Sequence, residues 1–499
     1  MFSEKRIALV LLIALFALQA YVVVERSDRQ PHLDEVEILH AGWMMANGGQ
    51  IFRTFFEHHS PILFAAIAPL APHAERVDVQ PYAEHARWLA GLCGLIALGC
   101  FAALVWRHSP IAAALAVAIM FVLTDTIWLR IIADVRAEPF ALGLFWTGVA
   151  LVFLPKRHAS IAAGIGVGLI AMAGLITPKW PLASAAIGIW ALIRARRVQN
   201  MLIVSAIAAA ITAIGLAIIR TLAPFELVRL YVLDFNRIGN RIVQESPTTF
   251  RYARPFFDDL PTYLTLPWVL VAALIVIAAM VIDRERRTPL LFLVLLTAAG
   301  LELRFFQPYP TIWQHNYGIW CFAGAALLAS TPHAILTLLD RARVTGVLRR
   351  YAPAIFAAIA LLVLLPAMLV QLTFVRDDTG LFFRSQRAFI TRLRPGDTVW
   401  MGAKRHPISV RDASFYWFGY DGTIGYTNEH LARTERGARL MPPLGDPFCN
   451  AVRGATSLRF ADPEGVPGTE KVCFAQLVRD GRVRPSMLPR VYEILPPPR

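Results

Sequence analysis

Long runs of apolar residues, separated by short and often basic connections, dominate the chain. A helical run of about 20 apolar residues matches the hydrocarbon thickness of a bilayer. Because a chain in lipid must satisfy its backbone hydrogen bonds internally, such runs are expected to be helices. The pattern therefore predicts an α-helical polytopic membrane protein with about eleven spans. The apolar blocks lie near residues 7–24, 86–106, 110–127, 139–154, 159–176, 180–193, 201–219, 263–282, 289–303, 316–330 and 353–374.

Positive charge is distributed unevenly between these blocks. The formal net charge of +14 would suggest nucleic-acid binding in a soluble protein. Here the Lys and Arg residues cluster in alternate short connections, such as 194–197 and 341–350. Basic connections stay on the cytoplasmic side of a membrane, where anionic lipids attract them. We therefore predict no nucleic-acid partner, a cytoplasmic N-terminus, and outer positions for the connections 25–85 and 220–262.

The chain after the last apolar block is more polar. The segments 398–401 and 415–418 have the composition of β-strands and are separated by Pro and Gly. With an odd number of spans this tail lies outside the membrane. We predict a membrane domain over residues 1–375 and a small extracytoplasmic α/β domain over residues 376–499.

The five cysteines are too few for a disulfide scaffold, and none belongs to a CxxC pair. Cys449 and Cys473 are the only cysteines of the predicted outer tail. An oxidising compartment permits a disulfide between them, and we predict one. Cys93, Cys100 and Cys321 lie in predicted spans, where cysteine acts as a small apolar residue.

An acidic pair, Asp34 and Glu35, follows the first span. The next residues predict a helix to about residue 46, with Val36, Leu39 and Trp43 on one face, and we expect this helix to lie flat on the membrane surface. A carboxylate at that depth can take a proton from an acceptor hydroxyl. Alternatively, Asp34 is the N-cap of the helix, with Glu37 completing a capping box.

About twenty residues further on, the connection contains the segment FFEHHSPI (55–62). The order of first span, Asp-Glu pair, helix and this segment resembles the first outer loop of the protein O-mannosyltransferase and lipid A aminoarabinose transferase group, which are membrane glycosyltransferases of the GT-C fold. Protein O-mannosyltransferases have Phe-Phe-Asp-x-His-Pro-Pro-Leu there. In this chain Ser60 replaces the first proline and Ile62 the leucine. The resemblance covers residues 1–200.

This resemblance implies a GT-C type fold with its active site in the first outer connection. It implies that Asp34 is the catalytic base and that Glu35 belongs to the catalytic site. Glu57, His58 and His59 would then be neighbours of the acceptor or donor. Three adjacent residues have no recognisable metal-ligand spacing, so we expect these histidines to form hydrogen bonds. No cofactor is predicted, and a divalent metal is left open.

Three further segments fit an anionic lipid-phosphate donor. Arg136 and Glu138 lie at the head of a predicted span, where the family also carries Arg and acidic residues. The segment GLITPKWP (174–181) resembles a family turn between two spans, and Lys179 in it is an isolated outer cation that suits a phosphate. Arg304 is a further phosphate candidate. The alternative for these cations is that they are ordinary interfacial residues whose charged ends reach water.

Taken together, these features predict an inverting glycosyltransferase in a bacterial inner (plasma) membrane. The donor would be a polyprenyl-phosphate-linked sugar, and the acceptor a lipid, a glycan or a protein. A lipid or glycan transporter or flippase is the alternative, and it would carry paired charges within mid-membrane helices. A non-enzymatic assembly factor that acts through its tail is the third reading.

Overall fold

The computed structural model describes the greater part of the chain. The described residues are 4–25, 27, 29, 31–122, 134–155, 157–245, 254–255, 264–282, 287–305, 311–312, 314–341, 381–401, 406–413, 415–417, 422–442, 444, 458–461, 468–487 and 490–495.

The structure is mostly helical. The helices of the first half are α1 (Glu4–Glu25), α2 (Leu33–Ala46), α3 (Pro61–Ile67), α4 (Gln80–Trp106), α5 (Pro110–Val122), α6 (Ala137–Phe153), α7 (Ala159–Ile176), α8 (Pro181–Ala195) and α9 (Val198–Leu222). The helices of the second half are α10 (Phe225–Val228), α11 (Phe235–Glu245), α12 (Leu266–Ile282), α13 (Arg287–Phe305), α14 (Gly318–Arg341), α15 (Leu381–Ile390), α16 (Gly422–Ala432), α17 (Glu435–Leu440) and α18 (Gly468–Arg479).

Within the described part of the chain, six helices are long and apolar enough to cross a membrane. They are α1, α4, α7, α9, α14 and the Thr288–Phe305 part of α13. The shorter helices α5, α6, α8 and α12 are also apolar. These ten helices lie where apolar blocks were predicted. The block near 353–374 and the predicted domain boundary at residues 375 and 376 lie outside the described residues, and the count of about eleven spans stays a prediction.

The chain forms two compact units, and each is built from three separate stretches of sequence. The first unit comprises Met1–Arg26, Arg87–Leu216 and Tyr252–Asp377, and contains most of the long apolar helices. The second comprises Ser27–Ala86, Ala217–Arg251 and Asp378–Arg499. The tail therefore shares a compact unit with the two long connections that were predicted to lie on the outer side.

In the first unit, α6 and α7 pack closely through glycines. A Cβ atom on Gly148 would overlap the carbonyl oxygen of Gly166, and one on Gly166 would overlap the carbonyl oxygen of Gly148. Only residues without a side chain permit this approach of two backbones, which is common where helices meet in membranes. Two very short strands, β1 (Arg254–Pro255) and β2 (Thr311–Ile312), pair antiparallel in the same unit.

The second unit contains a four-stranded sheet formed by the tail. Its strands are β3 (Thr398–Trp400), β4 (Leu458–Ala461), β5 (Val483–Pro485) and β6 (Tyr492–Ile494), in the order β3-β4-β6-β5. The first pair is parallel and the other two are antiparallel. Apolar residues from α15 and the strands form one core cluster, which includes Phe389, Val399 and Phe460.

One local prediction for this unit is wrong. Residues 415–417 form turns rather than a strand, and the Tyr416 hydroxyl donates to the carbonyl of Pro442 at 2.7 Å. The apolar face of α2 is buried in protein, with Val36, Leu39 and Trp43 at most 1% exposed, so this face packs against protein and not against lipid, while the position of α2 at the membrane surface stays a prediction. An amphipathic pattern alone does not distinguish burial in protein from burial in lipid.

Cys473 is disulfide-bonded. Cys93, Cys100 and Cys321 are free thiols. Cys449 lies outside the described residues, so the Cys449–Cys473 pairing stays a prediction.

Substitution of Gly166 by Val should destabilise the α6–α7 pair, since the added carbons must displace backbone atoms. We expect a loss of about 1–3 kcal/mol, seen as a lower melting temperature of the detergent-solubilised protein. Gly188→Val is the matched control, because a Cβ on Gly188 of α8 meets no atom within 4 Å. Equal melting temperatures for the two variants would contradict a tight backbone crossing at Gly166.

Candidate functional site

The N-terminus of α2 is capped by His32 and Glu35. The Glu35 carboxylate accepts the backbone N–H of His32 at 3.0 Å, and His32 Nδ1 accepts the backbone N–H of Asp34 at 3.4 Å. Glu35 is fully buried and also pairs with Arg29 at 3.1 Å. The Glu35 carboxylate therefore stabilises the start of α2.

This arrangement removes the capping alternative for Asp34. Asp34 is the second residue of α2 rather than its N-cap, and Glu37 takes no part in the capping box. The Asp34 side chain is 31% exposed, with one carboxylate oxygen 3.8 Å from His32 Nδ1. Asp34 is thus a partly accessible carboxylate in the first turn of a helix, where the helix dipole stabilises negative charge.

Glu57, His58 and His59 precede α3, and the fold adds Glu37 of α2 to them. His58 Nδ1 lies 3.1 Å from Glu37 Oε1 and 3.4 Å from Glu57 Oε1. His59 Nδ1 lies 3.7 Å and 2.8 Å from the same two oxygens. One possible ligand atom from each of the four residues lies within 4.8 Å of the others. The sequence prediction counted only the three adjacent residues and missed Glu37.

The Glu57 carboxylate is completely buried, yet it is held in its charged form. Burial raises its pKa, but the hydrogen bond from His59 and the positive charges of His59 and His58 outweigh that effect, so the pKa of Glu57 lies below its ordinary value. The backbone N–H groups of His58 and His59 donate to Glu57 Oε1 at 2.7 and 3.2 Å. Glu57 Oε2 is buried and has no hydrogen-bond partner among the described residues.

A second buried cluster joins α2 to the tail. The two carboxylate oxygens of Asp412 each accept one hydrogen bond. One comes from His40 Nε2 at 2.7 Å and the other from His406 Nε2 at 2.8 Å. All three residues lie in the second unit, and both imidazoles are fully buried. The indole of Trp417 packs against both rings, at 4.4 and 5.0 Å between ring centroids.

The hydrogen-bond partners of His40 and His406 show which of their ring nitrogens carry protons. His40 Nδ1 lies 2.5 Å from the carbonyl oxygen of Ile408, and its Nε2 faces Asp412, so both nitrogens must donate and His40 is an imidazolium. His406 Nδ1 accepts the backbone N–H of Ile408 at 3.1 Å, so His406 is neutral with its proton on Nε2. The result is a buried ion pair between His40 and Asp412, with His406 as a neutral donor.

The pKa values in this cluster follow from its partners. Burial lowers the pKa of His406, and the positive charge of His40 lowers it further to about 4, despite the opposing effect of Asp412. Burial raises the pKa of Asp412, but the positive charge of His40 and the hydrogen bonds from His40 and His406 outweigh that effect, so the pKa of Asp412 lies below its ordinary value.

The first unit contains a separate charged cluster at the ends of apolar helices. Arg136 is the N-cap of α6, and its Nε donates to Glu138 Oε2 at 3.3 Å. Lys179, in the turn before α8, pairs with the other oxygen of Glu138. Arg136 and Glu138 are buried, while the Lys179 side chain is 24% exposed. The structure thus brings two of the predicted phosphate-binding cations together with Glu138, a predicted neighbour of the site, and the three side chains carry a net charge of one positive unit.

Glu302 of α13 was not predicted as a site residue. Its Oε1 accepts the backbone N–H of Ala183 in the first turn of α8 at 2.9 Å. This contact holds the start of α8, and with it the turn that carries Lys179. An acidic residue inside an apolar block is itself a signal of function, and that signal was available in the sequence.

Arg304 lies exposed at the end of α13, with its guanidinium 5.4 Å from the centroid of the Phe305 ring. This position agrees with the interfacial alternative for Arg304. In the second unit, a cleft of about 500 Å³ has an excess of positive charge that suits an anionic group. Its lining includes Arg229, Arg237, Arg241, Arg436 and Arg439, with Asp234 and Glu435.

Comparison with known proteins identifies the fold. No protein-family model matches the chain, and no curated protein matches its sequence. Among solved structures, ArnT from Cupriavidus metallidurans bound to undecaprenyl phosphate aligns with a TM-score of 0.58 and 14% identity, over 99% of this chain and 98% of that one. The apo state of the same protein aligns with a TM-score of 0.55 and 14% identity, over 97% of each chain.

ArnT is a lipid A aminoarabinose transferase of the GT-C fold. The chain therefore has the GT-C fold over almost its entire length, which confirms the fold type that the first outer connection indicated. At 14% identity, the comparison shows a shared fold and nothing about activity.

The neutral His406 should make folding of the second unit sensitive to acid. Its pKa is about 4 in the folded chain and about 6.5 when unfolded, so the unfolded state binds more protons between these values and stability falls as the pH falls through that window. We expect a loss of about 2 kcal/mol between pH 7 and pH 5. His406→Asn should show a smaller decrease, measured by thermal unfolding at both pH values. Identical pH slopes would contradict the assigned protonation.

Proposed function

We propose that the protein transfers a sugar from a polyprenyl-phosphate carrier to an acceptor hydroxyl at the outer face of a bacterial-type inner membrane. The observation that carries this proposal is the cluster in which Glu138 holds Arg136 and Lys179 together at the ends of apolar helices. A phosphate that enters from the membrane needs cations at that position, and Arg and Lys supply hydrogen bonds to its oxygens. ArnT, which has the same fold, was solved with undecaprenyl phosphate.

In the proposed reaction, the acceptor oxygen attacks the anomeric carbon while the bond from that carbon to the phosphate oxygen breaks. Asp34 takes the proton of the acceptor hydroxyl, and the products are a glycoside with inverted configuration and the polyprenyl phosphate. Lys179 and Arg136 offset the negative charge that develops on the leaving phosphate. Glu35 has a positioning role, since it anchors the first turn of α2 to Arg29 and His32.

The proposed orientation has a cytoplasmic N-terminus and the residues of the second unit outside, and the basic connections support it. A transporter or flippase would need charges in the middle of its spans. Glu302 instead lies in the last turn of α13, which ends at Phe305, and contacts the first turn of α8, as expected for a residue near a membrane surface. The sugar and the acceptor class stay open within this proposal.

Asp34→Asn tests the base directly. The substitution preserves size and leaves the cap of α2 intact, because His32 and Glu35 form that cap. We expect normal folding and donor binding, with turnover lower by about 10²–10⁴-fold. Asp78→Asn, which changes an exposed carboxylate in the same connection, is the control and should keep normal turnover. Near-normal turnover of Asp34→Asn would eliminate it as the base and direct attention to Glu35 or Glu57.

Lys179→Ala tests the donor site. We expect weaker donor use, with kcat/KM lower by about 10²-fold, while Arg157→Ala, which removes an exposed cation elsewhere in the first unit, should have no effect. The double variant Lys179→Ala/Glu138→Gln separates two roles. If Lys179 only neutralises Glu138, the double variant regains activity because the uncompensated carboxylate is gone. If Lys179 binds phosphate, as proposed, the double variant stays impaired.

A further inference from the structure

The proposed reaction does not use the arginine-rich cleft of the second unit. This arginine cleft has a volume of about 500 Å³ and is lined by two stretches of sequence, the segment that follows α9 and the segment around α17. Its five arginines face two carboxylates, so the charged side chains of the lining sum to three positive units. The arginines are Arg229, Arg237, Arg241, Arg436 and Arg439, and the carboxylates are Asp234 and Glu435.

Two of the five arginines have acidic partners. Arg436 Nη1 donates to Asp234 Oδ2, and Arg439 Nη2 lies 3.5 Å from Glu226 Oε2. Both side chains of the second pair are 67% exposed, and a pair of this kind contributes little because water screens it. The protein itself therefore neutralises only part of the positive charge of the arginine cleft.

The other three arginines, Arg229, Arg237 and Arg241, are exposed and form no ion pair with a described residue. Arg237 and Arg241 lie one turn apart on the same side of α11, where two like charges repel each other. The opposite side of α11 is fixed against α16, because a Cβ on Gly239 would lie 3.3 Å from Thr427 Oγ1. Packing thus holds these cations close together, and a bound anion would relieve their repulsion.

The backbone that leads into α11 also has an unusual geometry. Residues Arg229–Asp234 form a π-helical turn, and the backbone N–H of Phe235 donates to the carbonyl of Leu230, five positions earlier. π-Helical turns are rare and occur frequently at functional sites. The first and the last residue of this turn both line the arginine cleft. The turn is therefore an indication of a ligand site that is independent of the charges.

The chain places this segment next to a membrane surface. It directly follows α9, which is long and apolar enough to cross a membrane and ends at Leu222. The segment also exposes two large apolar side chains, Phe225 at 45% and Leu233 at 51%. Cations beside exposed apolar side chains at the end of a span attract the head group and the acyl chains of an anionic lipid.

We propose that the arginine cleft binds the phosphate group of an anionic phospholipid in the leaflet where α9 ends. Arginine suits this ligand because its planar group donates two parallel hydrogen bonds to phosphate oxygens. The cleft volume lies within the range of about 300–1,000 Å³ that is typical of ligand sites. The lipid also stabilises α11, whose Asn236 donates to the carbonyl of His58.

This site shares no residue with the proposed donor site. The residues that line the arginine cleft all belong to the second unit, whereas Arg136 and Lys179 belong to the first. The inference does not rest on the proposed sugar transfer, because a phospholipid that binds here is neither its donor nor its acceptor. Lipid binding and turnover can therefore be measured separately.

The binding test uses the full chain purified in detergent. We expect phosphatidylglycerol to raise the melting temperature in a saturable manner, and phosphatidylcholine or inorganic phosphate at the same concentration to raise it much less. Lys179→Ala should keep the response to phosphatidylglycerol, which separates this site from the donor site. An equal rise with inorganic phosphate would show a soluble anion as the ligand and overturn the proposal, as would no rise with phosphatidylglycerol.

A pair of double variants locates the site. Arg237→Gln/Arg241→Gln should bind phosphatidylglycerol about 30-fold more weakly, because each arginine near a membrane surface contributes to lipid attraction. The control Arg392→Gln/Arg394→Gln removes the same charge from exposed arginines of the tail that do not line the cleft, and it should keep normal affinity. Unchanged affinity in the first variant, or an equal loss in both, would overturn the assignment.

A measurement on the unaltered chain makes the test independent of how the variants fold. A photoreactive phosphatidylglycerol, activated on the full chain in detergent, should label peptides that contain residues 225–241 or 434–439. An excess of unlabelled phosphatidylglycerol should suppress this labelling. Labelling confined to the apolar helices of the first unit would overturn the proposal.

Discussion

The Asp412 carboxylate is the group on which the arrangement of the second unit depends. It is buried between His40, which belongs to α2, and His406, which belongs to the tail. A buried charge is costly unless its partners are in place, and removal of one partner typically costs about 3–5 kcal/mol. The two chain segments are therefore coupled, because neither His40 nor Asp412 can be buried as an ion without the other.

Other hydrogen bonds also join the first stretch of the second unit to the tail. The backbone N–H of Phe56 donates to the carbonyl of Phe415 at 2.8 Å, and the indole N–H of Trp417 donates to the carbonyl of Phe56. Arg76 and Val77 make hydrogen bonds to Ser409. The Asn236 side chain donates to the carbonyl of His58 at 3.3 Å. The loop that carries Glu57 and the helix that carries Asp34 are thus held by residues from all three parts of the second unit.

The membrane helices could be predicted from the sequence because each is defined by its own composition. A lipid environment requires continuous apolar residues, and ten of the predicted blocks coincide with helices. Asp34, Glu57 and Lys179 could be named as candidates because they are charged residues among apolar or aromatic neighbours within short segments, and their roles stay proposals. The capping prediction was wrong because His32, which is not a preferred N-cap residue, accepts the role when Glu35 supplies the reciprocal hydrogen bond.

The rest of the site could not be predicted because its residues are separated in sequence. Glu37 has no pattern that relates it to His58, and nothing near His40 indicates that Asp412 will be its partner. Glu302 and the turn at Lys179 are likewise joined only by the packing of α13 and α8. Periodicity reports on contacts within one element, whereas these pairs are created by tertiary structure.

The separation of His40 and Asp412 by 372 positions has a consequence for biosynthesis. α2 is synthesised long before the residues that neutralise and enclose His40. Until those residues have been synthesised, the buried ion pair cannot form, and α2 lacks the contacts that fix its position. A contact between residues so far apart in sequence forms slowly compared with a local helix. The second unit therefore becomes fully ordered only after residue 412 has been synthesised, and chains that stop before it lack the ion pair.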